Sequence, residues 1–169
     1  PLPRPGKRNS TVTHIFPCRW TPQDIKLIIT LIEHGNHTPH GNNMYTIGTD
    51  ILEIRRIDSA VGRWGRRFLE RIYTTDELDY CRERPHQLAA RFAAKEAVMK
   101  ALGTGRWGTS WKEIEVVRQR GGAPRVRLTG RTMSLSLRLG IVGFALSLSH
   151  SRDYALATVI AWQDENSDY

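Results

Sequence analysis

An alanine-rich segment in the second half of the chain constrains the fold more than any other feature. Residues 86–102 contain six alanines and no glycine or proline, and Gly103 follows directly. Alanine has the highest helix propensity and glycine commonly ends a helix, so this segment is predicted to be the longest helix of the chain. The small side chains beside Glu96 leave its carboxylate and the nearby backbone accessible.

Short strands are predicted on both sides of this helix because apolar and polar residues alternate there. The predicted strands include residues 45–50, 114–116, 126–128, 144–148 and 154–162, with turns at 121–122 and 149–153. Further helices are predicted from Ile51 to Val61, from a capping box at Thr74–Glu77 to Pro85, and over residues 131–139. These elements predict an α+β fold, a small antiparallel sheet with the long helix packed on it.

The chain has 169 residues, which favours one domain, expected over residues 44–169. Residues 1–43 hold four of the six histidines and are expected to be an N-terminal extension, poorly ordered or with one short helix. Two explanations stay open: an upstream start assigned ahead of a native start at Met44, or an accessory helix on a linker. With two cysteines and no apolar run long enough for a membrane span, we expect a cytoplasmic protein without membrane association.

The balance of charge points to a polyanionic partner. The formal net charge is +8, and 20 of the 25 basic residues are arginines. Arginine binds phosphate and carboxylate groups through two parallel hydrogen bonds. Nucleic acid, a phosphorylated cofactor and an acidic protein all fit this composition.

A group of chemically suitable residues surrounds the long predicted helix. Asp50 ends the first predicted strand, where a helix N-cap is the simplest interpretation. Glu96 has Lys100 one turn later, which predicts a weak ion pair on the helix surface. With Arg91 and Lys95 close in sequence, and Gly103 and Gly105 after the helix, the pattern suits magnesium-assisted chemistry on a diphosphate.

Two segments resemble the signature motifs of a known enzyme family. Residues 47–51 (IGTDI) and 91–105 (RFAAKEAVMKALGTG), supported by 111–115 (WKEIE) and 146–157 (LSLSHSRDYALA), resemble the holo-[acyl-carrier-protein] synthase family. This family belongs to the 4′-phosphopantetheinyl transferase superfamily. The resemblance extends over about residues 45 to 162, and residues 1–43 lie outside the family pattern.

The resemblance implies a reaction and roles for individual residues. The reaction transfers 4′-phosphopantetheine from coenzyme A to a serine of apo-acyl carrier protein and releases adenosine 3′,5′-bisphosphate. Asp50 and Glu96 would bind Mg²⁺, and Asp50, Glu96 and Lys100 would form the catalytic group, with Glu96 as the candidate general base. The residues implied to line the coenzyme site are Arg91, Lys100, Gly103, Gly105, His150 and Ser151. The family is typically homotrimeric, with active sites at the subunit interfaces.

An arginine-rich patch follows Asp50 and includes Arg56, Arg63, Arg66 and Arg67. A solvated helix face is the simplest explanation of such a patch. The resemblance instead implies that these arginines bind the acidic acyl carrier protein, and such complementarity mainly raises the association rate.

Three other functions fit parts of the sequence. A small basic domain can bind RNA, but the aromatic sheet motif typical of RNA recognition is absent, so no nucleic-acid partner is predicted. Asp50 and Glu96 with a lysine can serve a magnesium-dependent nuclease. A hydrolase using Ser149 or Ser151 with His150 is disfavoured, because adjacent residues of a strand point to opposite faces. The simpler interpretation of His150 is a histidine in a turn with no catalytic role.

Overall fold

The structure, a computed structural model, describes residues 44–105, 107–118 and 121–163. The prediction for residues 1–43 lies outside this part of the chain. The elements in chain order are β1 (Tyr45–Glu53), α1 (Ile54–Ile72), α2 (Thr75–Cys81), α3 (Pro85–Ala101), a 3₁₀ turn (Trp111–Glu113), β2 (Ile114–Val117), β3 (Arg125–Leu128), α4 (Gly130–Arg138), β4 (Ile141–His150) and β5 (Tyr154–Gln163).

The α+β prediction is confirmed. Strands β1, β5 and β4 form an antiparallel sheet in that order, and β2 pairs with β3 in a separate hairpin. Helix α3 packs on one face of the three-stranded sheet, where Ala155, Ala157, Val159 and Ala161 of β5 are completely buried. None of the helices in the described part of the chain combines the length and apolarity that a membrane span requires.

Close contact between sheet and helix depends on Gly48 of β1. A Cβ atom at this position would overlap the carbonyl oxygen of Ala97 and would lie 2.7 Å from the amide nitrogen of Ala101. Both contacts are with backbone, which cannot move aside as a flexible side chain can. Gly48 therefore sets the distance between β1 and α3, and with it the distance between the groups that each of them carries.

Gly48→Ala is expected to lower the melting temperature by several degrees, since overpacking a core contact costs about 1–3 kcal/mol. Gly62→Ala is the matched control, because a Cβ at Gly62 in α1 meets nothing within 4 Å. That change replaces glycine by alanine inside a helix and is expected to keep or raise the melting temperature. Thermal unfolding followed by circular dichroism measures both, and equal melting temperatures for the two variants would refute the close-contact argument.

Two predicted strand ends are wrong, and with the first of them the predicted start of α1, which begins at Ile54. Strand β1 continues through Glu53, because Ile51, Leu52 and Glu53 pair with residues 156, 155 and 154 of β5. Asp50 is therefore inside a strand and is no helix N-cap. Strand β4 likewise includes Ser149 and His150, which leaves a turn of three residues, 151–153.

Two helices also differ from the prediction. Helix α2 ends at Cys81, and Pro85 opens α3 at its first turn, where the missing N–H of proline is harmless. Gly65, with φ 54° and ψ −139°, interrupts α1. In the described part of the chain α3 is therefore the longest unbroken helix, as predicted.

Candidate active site

The centre of the candidate site is Asp50 on the face of β1 that meets α3. Side chains alternate along a strand, so Gly48, Asp50 and Leu52 share this face. Gly48 and Leu52 are buried, whereas the side chain of Asp50 keeps 17% of its surface exposed. The strand thus directs one carboxylate to the rim of the contact between β1 and α3.

Lys100, in the last turn of α3, meets this carboxylate. Its Nζ donates hydrogen bonds to Oδ1 of Asp50 at 3.0 Å and to the carbonyl oxygen of Thr49 at 2.8 Å. Glu96 is partly buried and lies one turn before Lys100 on the same side of the helix. The structure therefore brings the three predicted catalytic residues to one junction between a strand and a helix.

Burial raises the pKa of the Asp50 carboxyl above its ordinary value. The hydrogen bond and charge of Lys100 oppose this effect, and the charge of Arg56 opposes it more weakly. An additional cation beside this half-buried carboxylate would stabilise its charged form. The influence of Arg56 also indicates that the start of α1 is close to the site.

The donor set at this junction suits a hard divalent cation. In the described ranges, no group of three or more His, Cys, Asp or Glu side chains is placed to hold a metal ion. Magnesium, however, takes one or two protein carboxylates and completes its coordination with water and substrate phosphates. Asp50 and Glu96 fit that requirement.

Lys95 does not face this site, although its sequence position suggested that it would. Its side chain is completely buried and forms an ion pair with Glu77. In the described part of the chain, the cations that act on Asp50 are Lys100 and, from α1, Arg56, and these are the candidates to neutralise a phosphate at this site.

Arg91 lies on another side of α3. It is nine positions before Lys100, which corresponds to about 180° around the helix axis. The guanidinium is buried, stacks over the Tyr80 ring at 4.2 Å, and donates to the Gln87 side chain at 3.1 Å. Its Nε has no hydrogen-bond partner among the described residues. One chain therefore does not bring Arg91 to Asp50.

His150 and Ser151 are also separated from Asp50. Asp50 is level with Leu148, two strands away, and His150 lies two residues beyond Leu148. Strand spacing and rise place the Cα atoms of Asp50 and His150 about 12 Å apart. Ser151 closes the turn, where its Oγ accepts hydrogen bonds from the amides of residues 153 and 154.

The sequence analysis missed His86, which lies in the first turn of α3. Its ring centroid is 5.1 Å from that of His150, at an angle of 46°. The only available signal was a histidine directly after a proline at a helix start, and such a signal does not indicate a partner 64 positions later in the chain.

Gly103 and Gly105 begin the loop after α3 and both adopt positive φ, 70° and 54°. Glycine is the residue that adopts this conformation at no steric cost. Between them, the hydroxyl of Thr104 is buried and has no hydrogen-bond partner in the described structure. The loop therefore presents an unsatisfied polar group next to the helix that carries Glu96 and Lys100.

The arginines of the predicted patch do not share one surface of α1. Arg56 and Arg63 line a groove of about 590 Å³, which we call the α1 groove; its apolar lining includes Trp64, Phe68 and Phe92. Arg66 pairs with Glu70 at 2.6 Å and lines a different groove, and Arg67 is exposed. The sequence analysis identified the arginines but missed the aromatic floor.

Comparisons with known proteins agree with this geometry. The family model of the 4′-phosphopantetheinyl transferase superfamily matches residues 46–159. The holo-[acyl-carrier-protein] synthase of Dehalococcoides mccartyi (strain 195) is 52% identical over 118 residues, which span 70% of this chain and 98% of that protein. The synthase of Gloeobacter violaceus is 48% identical over 120 residues, spanning 69% and 91%.

Solved structures give the same result. The Helicobacter pylori holo-[acyl-carrier-protein] synthase in complex with coenzyme A is 33% identical, with a TM-score of 0.63, covering 68% of this chain and 98% of that one. The Chronobacterium ammoniagenes complex with coenzyme A is 31% identical, with a TM-score of 0.63, covering 72% and 98%. This chain therefore belongs to the 4′-phosphopantetheinyl transferase superfamily, within its holo-[acyl-carrier-protein] synthase family.

Proposed function

We propose that this protein transfers 4′-phosphopantetheine from coenzyme A to a serine of apo-acyl carrier protein. The serine oxygen attacks the β-phosphorus of the coenzyme diphosphate, and adenosine 3′,5′-bisphosphate leaves. The observation that carries this proposal is the contact between Asp50 and Lys100, which joins the two sequence motifs at one place. Relatives about half identical to this chain have this activity in their names.

Charge neutralisation is the main contribution of the site. Asp50 and Glu96 would hold Mg²⁺, which when bound withdraws charge from the diphosphate. Lys100 is placed to leave Asp50 and follow the negative charge of the phosphate, because its stem is flexible and half of its side chain is exposed. Glu96 is our candidate to accept the serine proton. The glycines at 103 and 105 and the Thr104 hydroxyl would contact the coenzyme.

A site shared between two copies of the chain accounts for the remaining residues. Arg91, His150 and Ser151 are implied to contact coenzyme A, yet in one chain they lie away from Asp50. A homotrimer resolves this, because a neighbouring copy can contribute the second group. The coenzyme then spans the subunit interface.

The outer face of the three-stranded sheet supports this assembly. The pairing of the strands places on that face Tyr45, Ile47, Thr49, Ile51, Glu53, Gly143, Ala145, Ser147, Ser149, Tyr154, Leu156, Thr158, Ile160 and Trp162. Glu53, at the end of β1, is the one charged residue among them, and Ile47 and Ile160 are 51% and 40% exposed. A second copy of the chain is the occupant that a largely uncharged, apolar sheet face fits.

Ile47→Glu is expected to convert the assembly to monomers and to lower transfer activity at least tenfold, because a charge in an interface core is costly. Met133→Glu on α4 is the matched control, because Met133 is an apolar residue of similar exposure outside the sheet. Light scattering after size exclusion gives the mass, and a mass assay of the carrier gives activity. A monomeric wild-type protein with full activity would contradict the shared site.

The α1 groove is our proposed docking surface for the carrier protein. Arg56 and Arg63 lie on its charged rim beside Arg55, which is paired with Glu53, and Trp64, Phe68 and Phe92 form an apolar floor. A partner with acidic side chains around an apolar patch fits this arrangement. A role of the protein in fatty acid synthesis and a cytoplasmic location stay predictions.

The function is tested by incubating the purified protein with apo-acyl carrier protein, coenzyme A and Mg²⁺, and measuring the mass of the carrier by mass spectrometry. We expect a mass gain equal to one phosphopantetheine, dependent on coenzyme A and abolished by chelator. An unmodified carrier would overturn the proposal. Retention or cleavage of added nucleic acid instead would support the binding or nuclease alternatives.

A further inference from the structure

A buried ion pair lies directly beside the candidate active site, on the helix that carries it. Lys95 precedes Glu96 in α3, and its Nζ is 2.7 Å from Oε2 of Glu77 in α2. Both side chains are completely inaccessible to solvent. The Lys95 ammonium also donates to the carbonyl oxygens of Trp111 at 2.8 Å and Ile114 at 2.5 Å. Its three donors thus have three acceptors.

Glu77 extends the same network into two further elements. Its Oε2 accepts a hydrogen bond from the amide of Thr74, which caps α2, and its Oε1 accepts one from the amide of Val116 in β2. Through these contacts α3 is tied to α2, to the 3₁₀ turn and to β2. A buried pair is usually weak evidence for stability, because desolvation consumes most of the attraction. The network therefore needs another explanation.

The rotation of α3 about its own axis must be fixed by the side chains that contact its neighbours. Six of its eleven buried residues are alanines, at positions 89, 90, 93, 94, 97 and 101, and Leu88, Val98 and Met99 are the larger apolar residues among the others. Alanine methyl groups interlock little, so the alanines contribute little to fixing the rotation of the helix about its axis. On the sheet side, Gly48 contacts the α3 backbone and sets the distance without contacting a large side chain. The directional hydrogen bonds that Lys95 donates add a constraint on this rotation.

Small rotations of α3 are important for the chemistry. The carboxylate of Glu96 lies about 5 Å or more from the helix axis, so a rotation of 10° moves it by about 1 Å. A misplacement of this size can cost about a hundredfold in rate when groups must meet at a reacting centre. Lys95 and Glu96 are neighbours, so the position of one fixes that of the other.

We propose that the Lys95–Glu77 pair is a positioning device that fixes the rotation of α3 and thereby sets Glu96 and Lys100 against Asp50. This inference rests on the proposed function, because it assigns the pair to the site formed by those three residues. Neither Lys95 nor Glu77 touches substrate.

The test uses a double variant, since Lys95→Met alone leaves a buried unpaired carboxylate and is expected to fold poorly. In Lys95→Met with Glu77→Gln, both charges are removed and the volumes are nearly kept. We expect kcat to fall at least tenfold, measured well below the melting temperature and with the wild-type oligomer mass. KM for the carrier is expected to stay within about twofold, because Arg56 and Arg63, the arginines of the α1 groove, lie on α1, which the substitutions leave unchanged. Calorimetry is expected to give weaker binding of adenosine 3′,5′-bisphosphate, a readout independent of turnover.

Leu128→Ala in β3 is the matched control, because it removes a buried side chain of the same core without touching the network. It is expected to lower the melting temperature and leave kcat unchanged. If the double variant keeps wild-type kcat and product affinity, the pair has a structural role only and the inference is wrong. If it does not fold, Lys95→Gln with Glu77→Gln, which removes both charges and keeps a polar group at each position, is measured and has the same expected outcome. A wild-type protein that does not modify the carrier would refute the proposed function instead, so the two failures are distinguishable.

Discussion

Asp50→Ala and Glu96→Ala are each expected to lower kcat by about a hundredfold or more, with the protein still folded. In the proposed mechanism both carboxylates hold the divalent cation against the diphosphate, and preorganised charge stabilisation of this kind is worth about several kcal/mol in a transition state. Glu96 is also the candidate base. Steady-state transfer rates at limiting and saturating Mg²⁺ measure the effect.

Glu70→Ala is the control for loss of a carboxylate, because Glu70 is an exposed residue of α1 that pairs with Arg66. It is expected to keep wild-type activity. If Asp50→Ala and Glu96→Ala both kept near wild-type rates at limiting Mg²⁺, neither residue would be a metal ligand.

The pH dependence of stability gives a second measurement on Asp50. Its pKa is raised by burial, so the folded protein binds this proton more tightly than the unfolded chain does. That stabilising contribution is complete below the pKa of the unfolded chain and is lost as the pH rises through the folded-state pKa. At neutral pH without divalent cation, Asp50→Asn is therefore expected to melt at the wild-type temperature or above. The difference should shrink as the pH falls into the acidic range, and a much lower melting temperature at pH 7 would show that the Lys100 ion pair outweighs burial.

Local sequence patterns were sufficient to predict most of the elements. The alanine-rich helix, the capping box at Thr74 and the alternating residues of β4 and β5 all depend on interactions within a few positions, and each is present. The motif residues Asp50, Glu96 and Lys100 were also predicted as one group, although the residues alone offered weaker explanations for each.

Tertiary pairing explains where the prediction failed. Ile51 has helical spacing with Ile54 and Ile57, but it pairs with Leu156 of β5, and strand β1 therefore continues past it. Lys95 and Lys100 both lie within four residues of Glu96 in the same alanine-rich helix. Only the position of α2 determines that Lys95 is buried against Glu77. Contacts such as His86 with His150 join distant segments, and one sequence contains no signal for them.

The same limit applies to the arginine patch that we propose binds the carrier. A sequence identifies clustered arginines, but their division between two surfaces depends on the rotation of α1 and on its interruption at Gly65. Arg56 and Arg63 are seven positions apart and share one groove with three aromatic residues. Arg66 directly follows the interruption at Gly65 and lines the other groove.

Reversing charge at Arg56 and Arg63 to glutamate is expected to lower kcat/KM for the acyl carrier protein by about a hundredfold, because steering between opposite charges raises association rates by 10–10³. KM for coenzyme A should stay within about twofold for Arg63→Glu, which is the cleaner single variant, since Arg56 also influences Asp50. Varying each substrate in turn separates the two effects. The wild-type value for the carrier should also fall as salt rises, because salt screens exposed charges.

Arg66→Glu tests whether position or net charge is responsible. It changes the charge of the protein as much as Arg63→Glu does, and it lies on the same helix, but Arg66 faces the other groove and already has Glu70 as a partner. We expect less than a threefold change in kcat/KM for the carrier and a weaker change in salt dependence than for Arg63→Glu. Equal losses for the two variants would mean that the carrier responds only to the overall positive field of the protein. A loss confined to Arg56 and Arg63 would mean that it docks in the α1 groove, where those two charges border the apolar floor.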